Sequence, residues 1–486
     1  MNKEFVIKSP RLVKRVRNRL DYTLRLITPF LVGFLLALFE GSFPVQTQGW
    51  YLFCILSATI LGIILKPLPM GAVTLIGLCV ATCTSIVDIA KEALTGFSSP
   101  IIWLIVFVFF IARGLVNTQL STRIAYLFVY FLGKKTLGLG YGLVLTELII
   151  APMIPSNVAR TGGIMFPILK AISESLGSTP EKGTEKNLGC FLTQVCFQGN
   201  LITSAMFITA MAANPLIQSL AAKQGVFITW SSWLLASSVP GVLSIIIIPL
   251  ILYFICPPLV KEIPEAPLIA QQKLKEMGSV RQEEWILISI FVLMLTLWIG
   301  GEKWGITPSV TALLGVCLLL ITKVITWDDI LREREAWHTL VWLSILVMMC
   351  GYLEKFGLID YFSKTISILV SGWHWFYAFL VLSLTYFYSH YLLAGNVAHV
   401  GSMYAAFLTA LIITGSPPYL AALMLAFFSS LFSSMTHYGT GSAAILYGGG
   451  YVSILTWWRI GLIISFVNIV IWLGIGSMWW KILGFW

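Results

Sequence analysis

Two stretches decide how this chain is read. The first is Pro152-Met153-Ile154-Pro155-Ser156-Asn157-Val158-Ala159-Arg160-Thr161-Gly162-Gly163, in the middle of a long apolar run. The second is Ala394-Gly395-Asn396-Val397-Ala398-His399-Val400-Gly401-Ser402, in the middle of another. Asn157-Val158-Ala159 recurs as Asn396-Val397-Ala398, an offset of 239 (157 to 396). Pro and Gly interrupt a helix in both, which frees backbone N–H groups and short polar side chains. Inside a bilayer such backbone is tolerated only where it is buried in protein or lines a cavity.

The surrounding chain supports membrane depth for both breaks. Of 486 residues, 58% are hydrophobic and 11% charged, against roughly 25% charged in a soluble chain. With a mean hydropathy of +0.89, neither a soluble enzyme nor a disordered protein fits. A crossing helix takes about 20 apolar residues. Suitable runs begin near Ile27, Trp50, Pro69, Ile101, Cys190 and Thr229, and again near Trp285, Ile306, His338, Tyr419 and Leu455. The expected fold is an all-α polytopic membrane protein with about 11 crossings and two re-entrant hairpins, 136–172 and 373–413.

Charge sets the expected orientation. With the N-terminus in the cytoplasm, Lys91, Lys223, Lys303, Lys355, Lys364 and Lys481 fall outside and Arg160 falls in a hairpin, leaving 24 of the 31 Lys and Arg inside. The C-terminus is then extracytoplasmic. The basic start (Lys3, Lys8, Arg11, Lys14, Arg15, Arg17, Arg19, Arg25) reads as a topology signal facing anionic headgroups. Nucleic acid is not an expected partner, because no reading surface accompanies the charge.

The repeat extends beyond the breaks. Trp103-Leu104 recurs as Trp342-Leu343 at the same offset, and the runs starting near 50 and 69 map close to those at 285 and 306. The expected organisation is a basic N-terminus with a first crossing (1–49), a first repeat (50–256), a charged linker (257–284) and a second repeat (285–486). Five crossings per repeat is an odd number, so the second repeat enters from the opposite side. Inverted repeats with broken helices near the midplane are a design of secondary transporters. A channel would need a continuous polar pore lining, and a receptor would need no mirrored breaks.

Helix N-termini and free amides facing a cavity suit an anion, a carboxylate above all. Two tips reaching the midplane from opposite sides would hold the two ends of a small dicarboxylate. The expected binding residues are Ser156, Asn157, Val158, Arg160, Thr161 and Gly162 in the first tip, and Gly395, Asn396, Val397 and His399 in the second. A further break follows each hairpin, around Ala213-Asn214-Pro215 and Thr440-Gly441, and is expected to complete the site.

These residues resemble the divalent anion–sodium symporter family, in its branch of citrate, tartrate and 2-oxoglutarate–malate translocators. The resemblance spans nearly the whole chain. It includes Gly96-Phe97-Ser98-Ser99, Ala151-Pro152 through Pro167, His390-Tyr391-Leu392, Thr440-Gly441, Tyr447-Gly448 and Gly450-Tyr451. It implies a Ser-Asn-Thr triplet at each tip binding substrate carboxylates, an elevator mechanism and a homodimer. Here the triplets are Ser156-Asn157-Val158 and Gly395-Asn396-Val397, so three hydroxyls are missing. The two Asn and backbone amides remain as ligands.

Arg160 and His399 occupy equivalent positions, three residues after each Asn. In sodium-coupled relatives, as the resemblance implies, sodium ions near the tips supply positive charge; here fixed side chains could replace them. A cationic empty site resists crossing, and a bound dicarboxylate neutralises it. The expected function is therefore sodium-independent exchange of C4–C5 dicarboxylates: 2-oxoglutarate, succinate, malate or fumarate. Sodium-coupled symport and citrate or tartrate–succinate antiport are the alternatives. Arg160 could instead be paired with Glu147, and His399 could be a neutral hydrogen-bonding imidazole. No cofactor or metal is expected. The chain lacks a GxSxG elbow and a GxxxxGK[ST] loop, and His390, His399 and His437 lack Cys or carboxylate neighbours in sequence. The eight cysteines form no CxxC pair.

Overall fold

A computed structural model describes residues 10–41, 45–358, 361, 364–365, 368, 372–392 and 395–486. Ala394, at the start of the second break, lies outside the described residues, as do the side chains of the basic cluster up to residue 21. Among the described residues every regular element is a helix, and the one β-bridge joins Lys135 to Glu262. Among the described residues, eight helices are long and apolar enough to cross a membrane: Thr47–Leu65, Pro100–Thr118, Thr136–Met153, Trp230–Ile255, Gln282–Gly300, Arg334–Lys355, Asn396–Ile413 and Ile454–Ile482. The chain is a polytopic membrane protein.

Several expected runs end up shorter or more polar. Met70–Cys83, Pro308–Ile321 and Pro418–Ser434 are apolar but short, as is Tyr22–Ala37 within the helix Pro10–Ala37. Leu120–Leu132 is a separate helix that is not among the runs read from hydropathy. Its Arg123 is buried and makes a bidentate pair with Glu284, at 2.6 Å (Nε–Oε2) and 3.1 Å (Nη2–Oε1).

The chain forms two compact units, one from 1–98 and 338–362, the other from 99–337 and 363–486. Each expected repeat contributes to both. In the smaller unit, His338 Nε2 accepts a hydrogen bond from the Gly71 amide at 2.9 Å, and Lys355 approaches Glu92 at 3.7 Å.

The larger unit carries both interrupted segments. The first runs Thr136–Ile150, a 3-10 turn Ala151–Met153, Asn157–Arg160, a π turn Thr161–Met165, then Phe166–Ser175. The second runs Trp375–Ser389, His390–Leu392, Asn396–His399, Val400–Tyr404, Ala405–Ile413. All five elements start 239 residues apart, as 136 to 375 and 166 to 405 do. The arms of the second double back on one another: Tyr386 packs edge-on to Phe407 with centroids 5.5 Å apart.

Beside these segments lies the helix Gly189–Met206, every residue of which is buried. It contains Thr193, Gln194, Gln198, Asn200, Thr203 and Ser204, a content that would be costly against lipid. Facing protein on all sides, it can instead pair its polar groups internally, as Gln198 Nε2 does with Ser434 O at 3.1 Å. Indole groups tie the packing together: Trp233 Nε1 donates to Ala205 O of this helix at 2.8 Å, and Trp480 Nε1 to Ala236 O of Trp230–Ile255 at 2.9 Å.

Candidate functional site

The first tip is set by Ser156, whose Oγ accepts from the Ala159 amide at 3.1 Å and so caps the helix beginning at Asn157. From there helical backbone continues without a break to Ser175. Asn157 is 7% exposed, and its Nδ2 donates to Thr440 Oγ1 at 3.1 Å. Its carbonyl accepts from Asn200 Nδ2 at 3.3 Å. Val158 is 38% exposed and lies over Gly441, where an added Cβ would sit 2.7 Å from Val158 Cγ2. A Cβ on Gly162 would come within 3.0 Å of Ile445 Cδ1. The structure thus brings Asn157, Val158, Gly162, Thr440 and Gly441 together, with Thr161 buried behind them.

Arg160 has no exposed surface and points inward. Its Nε donates to Glu147 Oε1 at 2.8 Å. Nη1 donates to Ile154 O at 2.7 Å and Ala210 O at 2.6 Å, and Nη2 to Ser204 Oγ at 2.6 Å. Of the two readings left open by the sequence, the ion pair with Glu147 is present. The guanidinium therefore enters an oxygen cage made by one carboxylate, two carbonyls and one hydroxyl, and does not offer its donors to the tip surface. Asn200 Nδ2 donates to the same Glu147 Oε1 at 2.5 Å.

The second tip has no side-chain cap. Gly395 sits at φ +133°, a backbone that a side chain rarely adopts. Asn396 is 7% exposed; its Nδ2 donates to Ser429 O at 3.1 Å and its Oδ1 accepts from Ser433 Oγ at 3.2 Å. Val397 is half-buried beside it. His399 is fully buried, within hydrogen-bond distance of Ser389 Oγ (2.9 Å) and edge-on to Tyr386 and Phe432.

The breaks after the hairpins link the two tips. Ala210 O accepts from Arg160 of the first, while its neighbour Met211 lies 3.5 Å (Sδ) from Asn396 Nδ2 of the second. In the other break, Thr440 contacts Asn157 and its neighbour Gly439 meets His390 Nε2 through its carbonyl at 2.9 Å. Ala213, Asn214 and Pro215 are different: all three are fully buried. Asn214 Nδ2 donates to Ser204 O at 2.8 Å and Phe207 O at 2.9 Å, closing the end of Gly189–Met206. Its Nδ2 is spent on a helix end and not on the tip surface.

Sequence reasoning missed Asn200, Ser204, Ser429 and Ser433. A usable signal existed for the first two, since Gln194, Gln198, Asn200, Thr203 and Ser204 crowd one otherwise apolar segment. The smaller unit holds an apolar cavity of about 420 Å³ lined by residues such as Leu26, Phe30 and Val73. Its hydroxyls, on Tyr51, Thr59 and Thr84, are already bonded within the chain, so it offers nothing for a carboxylate.

Repeated helix breaks joined at a polar centre within an apolar helical protein are the architecture of a membrane transporter. The family described as the sodium:sulfate symporter transmembrane region matches residues 20–486, and the chain belongs to it, among the divalent anion–sodium symporters. It is 49% identical over 462 residues to a putative malate transporter, YflS, of Bacillus subtilis (strain 168), covering 95% of this chain and 96% of that protein. To the chloroplastic dicarboxylate transporter 1 of Arabidopsis thaliana it is 47% identical over 447 residues, covering 91% and 80%. The chloroplastic dicarboxylate transporter 1 of Spinacia oleracea is 45% identical over 464 residues, covering 95% and 81%.

Proposed function

We propose that this transporter exchanges C4–C5 dicarboxylates (2-oxoglutarate, succinate, malate or fumarate) across a bacterial cytoplasmic membrane without sodium. It does so as a homodimer with two inverted repeats, 50–256 and 285–486, the larger unit moving as an elevator. The N-terminus is cytoplasmic and the C-terminus extracytoplasmic. The substrate class is supported by the relatives' names and by two mirrored Asn tips that suit two carboxylates. That both tips and both breaks belong to the larger unit supports reading it as the moving domain.

One observation carries the sodium-independent reading: the Arg160 guanidinium fills the cage of Glu147, Ile154, Ala210 and Ser204 oxygens. Unwound carbonyls beside a broken helix are the ligands transporters offer to a coupling cation. A tethered cation there occupies four oxygens that a dissociable one would otherwise use. His399 fills the equivalent position at the second tip. Because Glu147 balances Arg160, the cost of crossing empty falls mainly on the first-turn amides of the two tips.

Sodium-coupled symport has one observation in its favour. Glu147 Oε2 and Asn200 Oδ1 are buried with no hydrogen-bond partner among the described residues. Thermal unfolding of the purified carrier separates the readings. Succinate or 2-oxoglutarate is expected to raise the midpoint equally in sodium-free and sodium-containing buffer. Stabilisation that appears only with sodium contradicts exchange.

A further inference from the structure

Among the described residues, the thiols of Cys190 and Cys256 lie with their Sγ atoms 2.9 Å apart, closer than the 3.9 Å of Cys79 and Cys83. The shorter separation is less than an ångström beyond the roughly 2.05 Å of a covalent disulfide. Cys190 is the second residue of the buried helix Gly189–Met206, and Cys256 caps the end of Trp230–Ile255. The backbone flanking the two is stitched together: Leu259 N donates to Lys186 O and Val260 N to Asn187 O, each at 3.1 Å. The thiols are therefore held in register by bonds on the linker side as well as by their helices. Cys190 is buried and Cys256 partly exposed, which makes Cys256 the thiol a small oxidant reaches first. The hydrogen bond with Cys190, together with the charge of Lys186, holds the Cys256 thiol below its ordinary range. It is the better nucleophile of the two.

We propose that Cys190 and Cys256 are a reversible disulfide site, oxidised by hydrogen peroxide and reduced by a thiol. The Cys256 thiolate attacks one peroxide oxygen and the O–O bond breaks. The departing hydroxide takes up a proton to become water, leaving Cys256 as a sulfenic acid. Cys190 sulfur then displaces that hydroxyl from Cys256 sulfur, and the thiol proton leaves with it as a second water. Two thiols lose two electrons, and one peroxide becomes two waters. A reducing thiol reverses the step by exchange through a mixed disulfide. The bond would clamp the helix that brings Asn200 to the first tip against Trp230–Ile255, closing a loop across 66 residues.

The test uses the full-length carrier in liposomes, treated with hydrogen peroxide and digested without reduction for mass spectrometry. A Cys190–Cys256 linked peptide is expected in most chains and should vanish after dithiothreitol. In Cys190→Ser, which touches no residue of the tips, Cys256 is expected to stop at sulfenic or sulfinic acid. The oxidised wild type should unfold at a higher temperature than the reduced one, a difference absent from Cys190→Ser. Oxidation of Cys256 in the wild type without the linked peptide overturns the proposal. So does a free Cys190–Cys256 pair at a peroxide dose that has oxidised the exposed Cys317.

Discussion

Arg160 Nε meets Glu147 Oε1 at 2.8 Å with neither side chain exposed beyond 2%. A buried ion pair is kept by mutual compensation, so removing one partner costs more than removing both. Arg160→Met is expected to destabilise the carrier by about 3–5 kcal/mol. Adding Glu147→Gln, which is neutral and still accepts from Asn200, should recover part of that loss. Unfolding of the single and double variants in detergent measures it; equal losses would show that the two charges are not coupled.

Asn157 and Asn396 are each 7% exposed, enough for an amide to reach a carboxylate. A hydrogen bond to a charged group contributes about 1.5–3 kcal/mol. Asn157→Ala and Asn396→Ala are therefore each expected to raise the KM for succinate or 2-oxoglutarate roughly tenfold to hundredfold, with the fold retained. Unchanged KM in both would remove the tips from the binding site.

Much of this arrangement is legible in the sequence, and the reason is the repeat. The recurrence of Asn157-Val158-Ala159 locates both tips, and helix breaking by Pro155 and Gly395 follows from residue chemistry. The helix Gly189–Met206 is less legible. Hydropathy tells apolar from polar but not lipid-facing from protein-facing, so its Gln and Asn residues look like defects in a span. Asn214 misleads for a related reason. An Asn-Pro pair in a break suggests an open site, yet its partners are carbonyls of the preceding helix, identifiable only once that helix's end is placed. The Arg123–Glu284 pair joins residues 161 apart and carries no local sequence signal.

Val158 and Gly441 fit each other closely, with 2.7 Å between a Cβ at 441 and Val158 Cγ2. Val is stiff at χ1 and cannot swing away cheaply. Gly441→Ala is expected to cut the transport rate severalfold, and Val158→Ala added to it should restore most of the rate. Rate measurements on the two singles and the double form a cycle; additive losses would contradict the contact.

Substrate hydroxyls offer another check on the tip. Val158 presents methyl groups at the tip, where a Thr would offer a hydroxyl. Val158→Thr is expected to improve malate relative to succinate by about 0.5–1.5 kcal/mol, the net contribution of one hydrogen bond. Competition between the two substrates in one uptake assay gives the ratio directly. An unchanged ratio places Val158 away from the substrate's carbon chain.

Sodium-independent exchange is the central claim, and counterflow tests it most directly. Purified carrier is reconstituted into liposomes that are either empty or loaded with unlabelled dicarboxylate, and uptake of labelled succinate or 2-oxoglutarate is followed without sodium. Uptake only into loaded liposomes, unchanged when an inward sodium gradient is added, is the predicted result. Accumulation in empty liposomes driven by the sodium gradient would contradict it, and would mean that Arg160 and His399 do not stand in for the coupling ion.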